Sequence, residues 1–407
     1  MRVRSIDATK SDANACEELV YSRFRVGNES HFCLPVYLGG LYMFDKKHLF
    51  EARTKGYSTY RVPGILTTQS GVVIATAEAR RGKGGDWDGS DLVMRRSNDA
   101  GQSWADMQIV LACDTYGPGP ISNFVMISDQ KDGHVHALFC HAYSRVFSTR
   151  SVDDGATWSE PIDITKTFAP WRDDYPWKVI ATGPGHGVQL TNGRYIIPIW
   201  MSDGSGSEFG LGKLGHRPSV VAGTYSDDNG KSWQLSDIVC RDGVGDVINP
   251  SETLALQLND GRVLFNIRTE SKLHRRFISI SADGATGWSD PETDDDLLEP
   301  VCMASILRLS DGSVVFANCD ALEHEFTSPI QAAHDRKNLT VKRSTDDCNT
   351  WSSSRTIEPG PSSYSDMSEN QNGQVCCIYE DGKIEGQYDA AYVSVSRFDV
   401  DWITRTE

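Results

Sequence analysis

Short apolar, β-rich runs recur along this chain, each opened by a glycine that follows Ser, Asp or Asn. They read SGVVIATAEA (70–79), DGHVHALFCH (132–141), NGRYIIPIWM (192–201), DGRVLFNIRT (260–269), DGSVVFANCD (311–320) and NGQVCCIYED (372–381). Their starts lie 62, 60, 68, 51 and 61 residues apart. Asn-Gly and Asp-Gly between apolar runs are strong hairpin signals, because both residues tolerate the positive φ of a tight turn. A polar box ending in Trp follows each of the first five runs: SNDAGQSW (97–104), SVDDGATW (151–158), SDDNGKSW (226–233), SADGATGW (281–288) and STDDCNTW (344–351). Each period therefore reads strand, hairpin turn, strand, loop, strand, box, strand.

A repeat of about 60 residues carrying four strands is a propeller blade. The pattern predicts an all-β chain, a six-bladed β-propeller with four-stranded antiparallel blades over residues 46–407, with 1–45 as an N-terminal tail or extra strand. The sixth unit has no box, so a strand from the N-terminal segment is expected to complete it and close the ring. Box Ser and Asp side chains suit bonding to their own turn, and the Trp suits packing between blades. Cys348 stands where the other boxes place Gly, and SADGATGW moves its Gly forward by one; both departures affect turn geometry.

Strand alternation also assigns a side. Turns and boxes lie at one end of each blade, and residues equidistant from a turn face each other at the open end. Glu252 and Arg268 lie eight residues either side of Asp260, and Tyr364 and Glu380 eight either side of Asn372. Arg61, Glu78 and Arg80 flank the turn at Ser70, Arg336 opens the strand before the fifth box, and Asp86 lies in the loop RRGKGGDWDGSD. Three arginines, a tyrosine and several carboxylates thus converge on the open face, which solvent-seeking strand ends alone do not explain.

Composition changes this picture little. The chain has 407 residues, 39% of them hydrophobic, enough for a sizeable core, and a net charge of −16 that disfavours nucleic acid and anionic membranes as partners. The ten cysteines include no CxxC pair and mostly sit in apolar runs, so they read as buried thiols. No His/Cys cluster suggests a catalytic metal, and no cofactor is expected. No apolar segment follows the basic N-terminus and no run approaches a membrane span, so the sequence as it stands is expected to be cytoplasmic, or secreted or periplasmic if its start is misassigned.

The arginine cluster is suited to a carboxylate, since each guanidinium presents a planar fork of donors. A carboxylate beside the reacting carbon would repel an acidic nucleophile, whereas tyrosine is neutral until it attacks and can be activated by a glutamate. A further carboxylic acid would protonate the leaving oxygen. YRVPGILTTQSGVVIATAEAR, the repeated boxes, NPSETLALQLNDGRVLFNIR, RKNLTVKRS and YSDM…CCIYE together resemble the exo-sialidases (neuraminidases) of the bacterial and animal type. The resemblance implies removal of terminal sialic acids from oligosaccharides, glycoproteins or glycolipids through a tyrosyl-sugar intermediate. It makes Arg61, Arg268 and Arg336 the carboxylate-binding triad, Tyr364 the nucleophile, Glu252 its base and Asp86 the general acid/base. Glu380 would brace Arg61, and Arg80 would contact the sugar. Asp88 and Asp91 compete with Asp86 for the acid role. Asn123 and Tyr143 are placed where the family reads the sugar's N-acyl group, with Trp171 and Trp177 as possible pocket walls. His186 reads as a structural histidine at the rim. A deaminated sialic acid as substrate, transfer to a sugar instead of water, and a non-catalytic sialic-acid-binding propeller remain as alternatives.

Overall fold

In a computed structural model of the chain, residues 25–26, 29–30, 43–323, 335–385 and 389–404 are described. Two units are separable, Met1–Tyr42 and Met43–Glu407. In the first, Arg25–Val26 pairs antiparallel with Glu29–Ser30; the rest of the expected N-terminal tail lies outside the described residues.

The second unit is all-β, a propeller-like arrangement of four-stranded antiparallel sheets. The first sheet holds Thr59–Thr67, Val73–Arg80, Ser90–Ser97 and Gln108–Leu111. The second holds Ile121–Ser128, Val135–His141, Arg145–Ser151 and Ile162–Asp163. Val179–Thr182, Tyr195–Ser202, Ser219–Ser226 and Gln234–Arg241 make the third, with Val188–Gln189 added alongside. Thr253–Gln257, Val263–Ile267, Arg275–Ser281 and Glu292–Leu298 make the fourth. Where the repeat predicts two further separate sheets, the structure has one of seven strands. The reason is a single 17-residue strand, Ser353–Glu369, whose first half pairs with Lys337–Ser344 and whose second half pairs with Gln374–Asp381. At the far edge Tyr392–Asp399 pairs with Phe44–Glu51, so an N-terminal strand completes the last sheet as expected.

The second strands of the four four-stranded sheets, Val73–Arg80, Val135–His141, Tyr195–Ser202 and Val263–Ile267, are largely apolar and wholly buried, as strands covered on both faces must be. The boxes hold the turns between outer strands. Ser97, Ser151 and Ser226 each accept, at Oγ, the backbone N–H four residues on, at 2.8, 2.8 and 2.9 Å. Asp99, Asp153 and Asp228 do the same at Oδ1, at 2.8, 2.8 and 2.9 Å. In the fifth box Cys348 takes the glycine's place at φ 69°, a left-handed conformation that strains an L side chain, and still donates to Ser344 Oγ at 3.0 Å. In the fourth box the shifted Gly284 shortens the Ser281 contact to a span of three residues. Box tryptophans pack into cores shared by neighbouring sheets, Trp288 over Phe265 at 4.2 Å and Trp158 edge-on to Phe124 at 5.3 Å. The eight described cysteines are free thiols, all buried except the half-buried Cys348.

Candidate active site

The strand ends farthest from the hairpin turns enclose a cavity of about 320 Å³. Its lining includes Arg61, Arg80, Asp86, Asn123, Tyr143, Glu252, Arg268, Arg336 and Tyr364, contributed by the first, second, fourth and seven-stranded sheets and the loops beside them. Cross-strand register delivers several of them. Arg61 stands opposite Glu78 and Thr59 opposite Arg80. The Glu252 carbonyl accepts the Arg268 N–H at 3.2 Å, one step beyond the Thr253–Ile267 pair.

Tyr364 lies at the centre. It is 8% exposed, and its hydroxyl donates to Glu252 Oε1 at 2.5 Å and accepts from Arg268 Nη1 at 2.8 Å. The guanidinium carbons of Arg336, Arg61 and Arg268 sit 5.3, 5.6 and 5.9 Å from its ring centroid. Burial pushes the phenol above its ordinary pKa; Arg268 pulls it down and the Glu252 carboxylate pushes it further up. The phenol is therefore neutral at rest, with a proton acceptor already in contact.

The three arginines differ in how they are compensated. Arg61 donates from Nε to Glu380 Oε1 at 2.7 Å and from Nη1 to Asp389 Oδ1 at 3.1 Å. Glu380, 1% exposed, also accepts the Val62 N–H at 2.9 Å. Val62 has φ 51°, unusual for a β-branched residue, within the register shift between Arg61 and Gly64. Pro63, which has no N–H to give a ladder, fits such a bulge, and the bulge aims Arg61 into the cavity. Arg268 contacts Glu252 as well as Tyr364. Arg336 has only neutral acceptors among the described residues, the Val301 carbonyl at 2.7 Å and Ser363 Oγ at 3.4 Å.

On the opposite wall Arg80 is 3% exposed and bonds Glu78 Oε2 through Nε and Nη2 at 3.1 and 2.8 Å, and Asp86 Oδ1 through Nη1 at 2.7 Å. Of the three aspartates competing in the loop, only Asp86 lines the cavity. Asp88 accepts the N–H groups of Lys83 and Gly85 at 3.0 and 3.1 Å and so folds the loop. Asp91 is spent on Tyr57, Arg81 and the Cys113 N–H. Partial burial pushes the Asp86 carboxyl up, but Arg80, His216 and Arg61 outweigh it and hold the group well below the usual carboxylate range.

Asn123 and Tyr143 line the cavity, both at positive φ, 56° and 48°. Glu380 stands behind Arg61, not on the cavity wall. Trp171 is a correction: it is 5% exposed, packs in the core between sheets and donates from Nε1 to the Ser236 carbonyl at 3.1 Å, away from the cavity. Trp177 is buried likewise, bonded to the Phe168 carbonyl at 3.1 Å. Both belong to a 3-10 segment and the chain just after it, whose polar spacing resembles a rim loop but whose rings fill the core. His186 is at neither rim nor site; its Nδ1 meets Asp366 Oδ1 at 2.7 Å beside a different cavity.

Sequence reasoning placed Glu78 on the open face without a role and missed one whole segment. Glu78 holds Arg80 and accepts the Asn123 N–H at 2.9 Å, tying two walls together. The segment between Ser202 and Ser219 brings Glu208, Phe209, His216 and Arg217 to the cavity. His216 packs against Phe209, Tyr143, Trp200 and Trp87 at 4.5, 4.7, 5.1 and 5.9 Å, and burial holds its pKa at about 4. The available signal was the longest spacing of the repeat, 68 residues, which marks an insertion in this unit.

The BNR repeat-like domain profile matches residues 71–377 of the chain. A protein of Micromonospora viridifaciens named Sialidase is 27% identical over 373 residues, covering 86% of this chain and 54% of that protein. An Exo-alpha-sialidase of Arthroderma benhamiae is 24% identical, covering 86% of this chain and 85% of that protein. The chain thus spans about half the length of the bacterial relative. Among solved structures, the Hadza microbial sialidase Hz136 superposes with a TM-score of 0.69 at 23% identity, over 87% of this chain and 68% of that one.

Proposed function

From the premise that the chain belongs to the BNR repeat-like family over residues 71–377, we propose that it is a retaining exo-α-sialidase acting on terminal sialic acids of oligosaccharides, glycoproteins or glycolipids. The fold behind this reading is counted as a six-bladed propeller over residues 46–407, the two halves of strand Ser353–Glu369 serving as last strand of the fifth blade and first strand of the sixth. The observation that carries the reading is the Tyr364–Glu252 contact of 2.5 Å inside a ring of three guanidiniums.

Arg61, Arg268 and Arg336 bind the sugar carboxylate, most strongly through Arg336, which has no carboxylate partner of its own among the described residues. That binding fixes the anomeric carbon over Tyr364. Glu252 takes the phenol proton as the Tyr364 oxygen bonds to the anomeric carbon, and Asp86 gives its proton to the departing glycosidic oxygen. Water then displaces the tyrosyl oxygen from the sugar, with Asp86 as base and Tyr364 recovering its proton from Glu252. Asp86 is ionised in the empty site, so it must gain a proton on binding. The substrate's negative charge supplies the cause, since it offsets the Arg61 field that helps hold Asp86 acidic. Two carboxylates with such different surroundings fit one acid and one base.

Release of 4-methylumbelliferone from its sialoside tests the proposal, with Tyr364→Phe as control. Absence of turnover by the unaltered chain, or full activity in Tyr364→Phe, contradicts it. Product analysis then distinguishes free sugar from transferred sugar.

A further inference from the structure

At the turn end of the second sheet, far from the cavity, lies a group of side chains that the reaction does not use. Asp132 and His134 belong to the DGHVH turn, and His136 is the second residue of the strand Val135–His141 that leaves it. One ligand atom from each lies within 4.8 Å of the others. His134 Nδ1 is 3.0 Å from Asp132 Oδ2, close to the separation of two ligands on one small divalent ion. The turn is fixed in this shape. Asp132 Oδ1 accepts the His134 N–H at 2.9 Å, and Asp129 Oδ1 accepts the N–H groups of Lys131 and Asp132 at 2.6 and 3.2 Å.

His136 supplies an independent sign. It is 3% exposed, yet its Nε2 has no hydrogen-bond partner among the described residues. A buried ring nitrogen without a partner is costly, because it has given up its hydrogen bond to water and gained none in return. The ring is confined on two sides: the Tyr195 ring lies at 5.1 Å, tilted by 46°, and Gly230 of the third box approaches so closely that a Cβ there would stand 2.5 Å from Nδ1.

We propose that Asp132, His134 and His136 form a divalent-metal site of two imidazoles and one carboxylate, suited to Zn²⁺, that fixes the turn of the second sheet. The donor set fits a borderline ion, with a solvent-facing position left for water beside the exposed Asp132 and half-buried His134. The site is structural. The strand Val135–His141 is seven residues long, roughly 20 Å from end to end, with His136 at its start and the cavity-lining Tyr143 just past its far end, so the ion sits away from the cavity. The expectation of a metal-free reaction is unaffected.

The test uses the whole chain without a polyhistidine tag, stripped with chelator and titrated with Co²⁺ as a spectroscopic probe and with Zn²⁺ by calorimetry. One equivalent is expected to bind, giving the visible d–d bands of a nitrogen- and oxygen-ligated Co²⁺ ion, and Zn²⁺ is expected to raise the melting temperature. His134→Ala and Asp132→Asn, both accessible enough to leave the fold intact, should each weaken binding at least tenfold and lose the melting shift. Hydrolysis of an aryl sialoside should be the same in both variants and in the stripped chain. Failure of the unaltered chain to take up one equivalent overturns the proposal, as does equal binding by both variants, which would place the ion elsewhere.

Discussion

Replacing Arg336 by Met separates substrate binding from stability within the arginine triad. Arg336 holds two neutral acceptors, whereas Arg61 neutralises the buried Glu380 and also meets Asp389. A charged hydrogen bond contributes about 1.5–3 kcal/mol. Loss of a forked contact to the sugar carboxylate is therefore expected to cost about 3 kcal/mol of transition-state binding, or roughly 100-fold in kcat/KM. Folding should be nearly untouched, because no carboxylate among the described residues is stranded. Arg61→Met should lose comparable activity and in addition destabilise the chain, since among the described residues Glu380 would keep only the Val62 N–H; breaking a buried pair costs about 3–5 kcal/mol. The assays are initial rates on 4-methylumbelliferyl sialoside and urea denaturation. If Arg336→Met retains wild-type kcat/KM, or destabilises as much as Arg61→Met, the assignment of Arg336 as the uncommitted carboxylate receptor is wrong.

Other outcomes follow from the same geometry. Tyr364→Phe removes the attacking oxygen and should lower kcat at least 1,000-fold, on the order of a lost catalytic nucleophile, while a 2,3-dehydro sialic acid analogue still binds in calorimetry. Asp86→Asn should cost ~10²–10⁴ on natural sialosides and much less on substrates whose leaving group needs no proton; equal losses on both would remove Asp86 from the acid role. Because the folded pKa of Asp86 is depressed, its contribution to stability is present above the unfolded value near 3.9 and is lost as pH falls through the folded value, so Asp86→Asn should flatten the acid limb of the stability curve. His186 has the opposite sign. Burial lowers its pKa, but Asp366 and the Ile306 backbone more than offset that and raise it overall. Its contribution is full below the unfolded value near 6.5 and is lost as pH rises through the folded value, and His186→Gln should remove that loss in melting temperatures measured between pH 5 and 9.

The sequence alone determined the period, the antiparallel pairing and the side of the sheets on which chemistry collects, because all three are local. Asx-Gly turns fix register, and register fixes which residues meet: Glu252 with Arg268, and Arg61 with Glu78. The boxes carry their own hydrogen bonds from Ser and Asp to the following turn, so their structural role was also legible. Contacts between sheets were not. Trp171 and Trp177 sit in a segment with polar neighbours that reads as a pocket wall, yet burial of two large rings in the core between sheets decided otherwise. Which of Asp86, Asp88 and Asp91 reaches the cavity depended on the hydrogen bonds that claim the other two. The cover provided by His216 and Phe209 came from an insertion whose length was visible but whose direction was set by packing against Trp87, Tyr143 and Trp200. Pairing along a strand is written in residue spacing; only the closed arrangement of sheets brings distant strand ends within hydrogen-bond range of Tyr364.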